Sequence, residues 1–456
     1  MLQCGAAAAC VGFTQRGATS CWLYAHVSGR FLHKSGSSVS WHPNPKHLIG
    51  ISNLKTDDTS AEEQAAAMKP DVLRATKNVS ERATVEEPSD TDELDKFIRD
   101  KMASVHMPSV SALVQRNSTL LWSHAYGFAN AFSSPPRNAS VTGTPYTMAS
   151  VSKTVMATTL MALFDQGLFA LDDDINTYLK DSAKAGFELR NPRHPLAAIT
   201  FRNLLTHTSS INDRCWADAS DTLFYTRGRN NPWSVHDMLF AYLSTNGKYY
   251  NASLCFHEEA PGGLYDYSNI GANVLGYMVE VLVGSNSFGR FSVANVLKPL
   301  GMQPEKNNWL LNPPLDLSAI ALPSSWVEEE SRLEPYCLYG CCDYPDSGLR
   351  VTAAGLARHQ AMFMQYGELD GVRLLKESTV REMRRKQTLS SGKEIDGGQG
   401  QRRPLQRLLL FHSYSYFLDL SCHICGVRRS GLDLVLRGVG QPKRRRGARA
   451  AGSPRL

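Results

Sequence analysis

The sequence predicts an α+β fold, an antiparallel sheet flanked by a helical region, and three observations predict it. Alternating apolar runs at 110–114 and 120–126 are joined by the polar turn 115–118, the pattern of a hairpin. Helical periodicity then dominates from 154 to 282. Two further helical patterns follow at 353–366 and 377–384. A hairpin followed by a helical insert separates strands from helices, as α+β domains do.

The elements follow in chain order. Residues 1–56 contain no Asp or Glu, with Arg16, Arg30, Lys34, Lys46 and Lys55 spread among Ser, Ala and Gly. That composition suits a targeting-like or disordered N-terminus. Residues 57–90, with Asp57, Asp58, Glu62, Glu63, Glu86 and Glu87, read as an acidic linker. The segment 91–104 places Leu94, Phe97, Ile98 and Met102 on one helical face. Residues 144–149 read as an extended run into a turn, and Val155, Met156, Leu160, Leu163 and Phe164 then recur at helical spacing. Gly167 ends that helix, and 168–179 reads as a loop with a short turn.

The chemistry-bearing feature is Ser150-Val151-Ser152-Lys153. Spacing of three puts the hydroxyl and the amine on one helical face. A serine needs a neighbouring base to become a nucleophile. A desolvated lysine has a lowered pKa and can be that base. At a helix N-terminus the Ser150 N–H is also placed to stabilise an oxyanion.

Four blocks carry a family resemblance: 149–154 with Asp165-Gln166-Gly167 and Leu171-Asp172-Asp173, then 200–209, then Tyr265-Asp266-Tyr267-Ser268-Asn269, then 343–352. In this order the chain resembles the class C β-lactamase-related serine hydrolases, of β-lactamase, penicillin-binding protein and esterase type. The resemblance spans roughly 91–388 and implies a β-lactamase/transpeptidase-like fold. It implies that Ser150 is acylated, that Lys153 holds or accepts its proton, and that Tyr267 is the partner base and later the acid. It implies that Asn269 hydrogen-bonds Lys153 and a substrate amide. The substrate is then a small-molecule or peptide acyl compound whose ester, amide or peptide bond is cleaved. The 200–209 block usually continues with Gly where this chain has Ser210. His207, a tempting triad base, is assigned to packing.

One expected block is missing. The family's third motif, Lys/His-(Ser/Thr/Gly)-Gly on a late strand, supplies the second oxyanion N–H, and its best match is Arg429-Ser430-Gly431. The runs 406–411, 414–420 and 432–436 are the strands available to finish the sheet. The alternative function is therefore a catalytically impaired member with a scaffold role. Residues 389–456 form an atypical basic tail: 401–456 holds twelve Lys or Arg against two Asp or Glu, and Lys443 to Arg446 form a basic run. The chain's formal charge of +6 thus belongs to the tail, and 91–388 offers no nucleic-acid surface.

No cofactor is called for. Cys422-His423-Ile424-Cys425 supplies one C-x-x-C pair, half of what a zinc site needs, so no metal is expected. No stretch of about 18 apolar residues occurs, so no spanning helix is expected. Cys215 with Cys255, or a link near Cys337, suits disulfides in a secreted protein. The compartment stays open between organelle-targeted (mitochondrial-like) and secreted, and the oligomeric state is not readable.

Overall fold

A computed structural model describes residues 21–28 and 92–395, except 117, 182–184, 217–223 and 286. The candidate C-terminal strands, Arg429-Ser430-Gly431 and the basic tail beyond residue 395 lie outside the described residues.

Strand β1 (Cys21–Ser28) is followed by helix α1 (Asp92–Ser104), the hairpin β2 (Ser109–Arg116) and β3 (Thr119–Asn130), and the short β4 (Arg137–Asn138). These four strands form one sheet in the order β1-β2-β3-β4. All pairs are antiparallel, with Ser28 opposite Ser109 and Val110 opposite Tyr126. The expected hairpin is present, and its strands run further than the alternating runs. The strand beside β2 comes from the acid-free N-terminal segment. On one face α1 packs through Ile98 and Met102 onto Val110, Ala112, Tyr126 and Trp122.

The helical region follows. Strand β5 (Tyr146–Thr147) leads into a 3-10 turn, Ala149–Val151, and then α2 (Ser152–Asp165). Next come α3 (Ile175–Asp181), α4 (Phe201–Leu205), β6 (Tyr225–Arg227), α5 (Val235–Leu243), α6 (Ala252–Cys255), α7 (Asn269–Val283) and α8 (Phe288–Ser292). The expected loop at 168–179 therefore contains the start of α3. Helix α7 is apolar on nearly every side and buried from Ile270 to Glu280, as a central helix must be. It packs against α2, and Val155, Met156, Leu160, Leu275, Met278 and Trp309 share one core.

The chain then returns through β7 (Ser324–Val327), β8 (Arg332–Pro335), β9 (Tyr339–Cys341), α9 (Tyr344–Ser347), β10 (Arg350–Val351) and α10 (Ala353–Met364). It ends with β11 (Glu368–Leu369), β12 (Val372–Arg373) and α11 (Glu377–Arg384). Strand β10 pairs with β5, setting Val351 opposite Tyr146. Leu349 N–H donates to Ser152 Oγ at 3.1 Å, and Met148 N–H donates to Leu349 O at 2.8 Å. These bonds hold the α9 turn over the start of α2. Gly276 lets the same turn sit against α7: a Cβ there would come 2.4 Å from Pro345 Cβ. Arg350, buried behind the turn, donates to Trp309 O at 2.9 Å and Gly348 O at 2.7 Å.

Helix α11 is tied to α4 by Glu382, which accepts from Arg202 Nη1 and Arg385 Nε at 2.7 Å each. Arg385 above all, with Arg202 and against burial, pulls the Glu382 carboxyl down from 4.5 to about 2. A depressed carboxyl contributes stability above its unfolded pKa and loses it as pH falls toward the folded one. Thermal melts from about pH 6 to about pH 2.5 should show a steeper acid loss for the wild type than for Glu382→Gln. Parallel acid limbs would exclude this tie.

Candidate active site

The site forms where the start of α2, the start of α7 and the α9 turn meet. Ala149, the residue before the nucleophile candidate, has φ of 51°, in the left-handed region that costs a non-glycine residue about 1 kcal/mol or more. The chain turns sharply there, so half-buried Ser150 stands in the 3-10 turn, two residues before α2 proper. The sequence expectation of a helix N-terminus at the serine is met to within that turn.

Lys153, one turn on, is buried. Its Nζ lies 3.1 Å from Ser150 Oγ, 2.8 Å from Asn269 Oδ1, 2.8 Å from Asp346 Oδ2 and 3.2 Å from Asp346 O. The Lys153 and Asp346 side chains are 2 % and 3 % exposed, so this ion pair is dry. Burial alone lowers the lysine, but the Asp346 charge and hydrogen bond, with Tyr267, outweigh it and raise it well above its ordinary value. The expectation that desolvation makes Lys153 a ready base is corrected here: the sequence argument weighed burial without the carboxylate that accompanies it.

Tyr267 faces the same lysine, with Nζ 5.2 Å from its ring centroid. Its Oη is buried with no hydrogen-bond partner among the described residues. An orphaned buried hydroxyl costs free energy, a cost tolerated at functional sites. His207 packs beneath it, ring centroids 4.5 Å apart, and accepts the Ser268 N–H on Nδ1 at 3.2 Å. His207 thus supports the Tyr267 segment, in keeping with its packing assignment. Ser210, standing where glycine is usual, has φ of 64°, and its hydroxyl accepts from Asn191 Nδ2 at 3.1 Å.

Two residues of the site have no motif of their own. Asp346 lies within the 343–352 block and reaches Lys153 through the β5–β10 pairing. Asp213 lies four residues beyond the 200–209 block and caps α7. It accepts from Ser268 Oγ at 3.0 Å, Asn269 N at 2.8 Å, Asn269 Nδ2 at 2.9 Å and Ile270 N at 3.2 Å. Burial pushes the Asp213 carboxyl up against those donors and the Lys153 charge. A carboxylate only accepts, so Asn269 turns its NH2 toward Asp213 and its oxygen toward Lys153. Asp213→Ala should therefore cost about 1–3 kcal/mol in chemical denaturation, because buried donors lose their acceptor. A loss below about 0.5 kcal/mol would show that water replaces it.

Cys215 and Cys255 form a disulfide that ties the turn bearing Asp213 to α6. Among the described residues no helix is long and apolar enough to cross a membrane. No group of three metal-ligating side chains gathers among them either.

A profile described as Beta-lactamase matches residues 94–413. Protein flp of Staphylococcus aureus (strain N315) is 25% identical over 210 residues, 46% of this chain and 37% of its own. Esterase EstB of Burkholderia gladioli is 28% identical over 193 residues, 42% of this chain and 45% of its own. The chain spans less than half the length of these curated relatives. The octameric penicillin-binding protein homologue from Pyrococcus abyssi superposes with a TM-score of 0.51 at 22% identity, covering 65% of this chain and 60% of that one. That likeness concerns the fold, which is α+β and β-lactamase/transpeptidase-like. With the profile covering most of the described residues and that fold beneath it, the chain belongs to the Beta-lactamase family.

Proposed function

We propose that the chain is a serine hydrolase that cleaves an ester, amide or peptide bond through an acyl-enzyme on Ser150. The family comprises serine hydrolases that act on small-molecule or peptide acyl substrates. The observation that carries the reading is the contact of Lys153 Nζ with Ser150 Oγ at 3.1 Å inside a buried polar network. In the proposed step, Tyr267 reacts as a phenolate facing the Lys153 ammonium: Ser150 Oγ bonds to the substrate carbonyl carbon and its proton passes to the phenolate oxygen, giving the phenol. The carbonyl oxygen takes up negative charge beside the Ser150 N–H and the α2 N-terminus. Collapse breaks the bond to the leaving group, which takes the proton from Tyr267. Water then releases the acyl group from Ser150 by the reverse sequence. Lys153 keeps its positive charge 3.1 Å from Ser150 Oγ throughout, and Asn269, held by Asp213, presents its oxygen to Lys153 and the site. The hydrolase domain is proposed at 91–388.

The second reading is a catalytically impaired member with a scaffold role, favoured by the weak match at Arg429-Ser430-Gly431. Loss of one oxyanion donor costs about 100- to 1000-fold in turnover. Incubation with a fluorophosphonate and with a labelled penicillin, followed by peptide mapping, separates the two. An adduct on Ser150 supports the hydrolase. Cooperatively folded protein that stays unlabelled supports the scaffold.

A further inference from the structure

We propose that Asp346 is a positioning residue that holds Lys153 as an ammonium, so that Lys153 serves Ser150 as a fixed positive charge and proton acceptance passes to Tyr267. This deepens the serine-hydrolase reading and rests on it.

The argument is a count of donors and acceptors. Four atoms surround Lys153 Nζ: Ser150 Oγ, Asn269 Oδ1, Asp346 Oδ2 and Asp346 O. The last three only accept. Asn269 is held in that sense by Asp213, which takes its NH2 at 2.9 Å. A neutral amine has two N–H groups and one lone pair, so one of three obligate acceptors would face the lone pair. An ammonium has three N–H groups and meets all three. It then has no lone pair for the Ser150 proton. The hydroxyl oxygen receives the positive field of the ammonium, and its proton must leave toward another acceptor. Tyr267 Oη, buried beside the lysine with no partner among the described residues, is the group available, and it accepts as the phenolate that the ammonium faces.

The charges facing Lys153 agree with this count. Asp346 comes from the α9 turn, and Asp213 stands behind Asn269 at the start of α7. Asp343, at the head of the α9 turn, is pushed up to about 7 by burial and then by the charge of Asp346. Tyr267 faces the lysine with its ring. Asp346 is the one of these groups in direct contact through both a carboxylate and a backbone oxygen, so its charge decides the protonation of the amine.

Trace acetylation with acetic anhydride tests this, because only the free amine reacts. The full chain is labelled between about pH 6 and about pH 10 and read residue by residue in the mass spectrometer. Wild-type Lys153 should stay at background through that range. In Asp346→Asn the burial remains and the counter-charge is gone, so labelling at pH 8 should rise about tenfold or more. Asp346→Glu should return it toward wild type. Wild-type Lys153 that titrates below about pH 9, or a folded Asp346→Asn protein with an unchanged profile, overturns the proposal. If the Asn variant does not fold, the wild type alone decides. With 15Nζ-labelled lysine, a slowly exchanging resonance coupled to three protons is expected at pH 8, and a two-proton amine refutes it. Neither readout needs turnover. An ammonium in a protein with no Ser150 adduct removes the hydrolase reading alone, and an adduct with a neutral Lys153 removes this one alone.

Discussion

Ser150→Ala is expected to abolish covalent capture of fluorophosphonate and acyl donors and to leave the fold standing. Removing the nucleophile of a serine hydrolase lowers turnover on the order of a million-fold, because no other group can form the acyl bond. The structural cost should be small. Ser150 is half-buried, and Lys153 keeps its three obligate acceptors on Asn269 and Asp346 when the hydroxyl goes. A denaturation shift within about 1 kcal/mol follows from the loss of one ordinary hydrogen bond. Labelling of the alanine variant at the wild-type rate would move the nucleophile elsewhere.

The second large effect falls on stability. Lys153→Met removes the ammonium from a site where its partner carboxylate is 3 % exposed. Breaking a buried pair from one side leaves an uncompensated charge and costs roughly 3–5 kcal/mol. Chemical denaturation should show that loss. The double change Lys153→Met with Asp346→Leu should recover much of it, since apolar replacement of a whole buried pair is often neutral. A single variant that loses less than about 1 kcal/mol would mean that water reaches Asp346 and the site is wet. The measurement thus reports on the dryness the chemistry requires.

The part of this site legible in the sequence is the part written in short spacings. Ser150 and Lys153 sit three apart at the start of a helix, and Tyr267 and Asn269 sit two apart before another. Helix periodicity and strand alternation marked the hairpin, α2, α7, α10 and α11 for the same reason. Asp346 was visible only as one residue of a resembling block. Its contact with Lys153 depends on β10 pairing with β5, some two hundred residues apart in the chain, and on the space Gly276 leaves for Pro345. Asp213 was hidden because a carboxylate that caps a distant helix has no local pattern. The direction of the Lys153 shift failed for the same reason, since burial can be inferred from an apolar helix but a partner from elsewhere cannot. Strand β1 was masked by composition: the acid-free run that suggested targeting also holds Cys21–Ser28, which pairs with β2.

The bond between Cys215 and Cys255 stands two residues from the carboxylate that orients Asn269. A reagent that opened it would act two residues and one hydrogen bond from the amide that faces the lysine. Protein with that bond open and protein with it closed are two chemical species sharing a sequence, and the open one backs Asn269 through a turn held by fewer covalent ties.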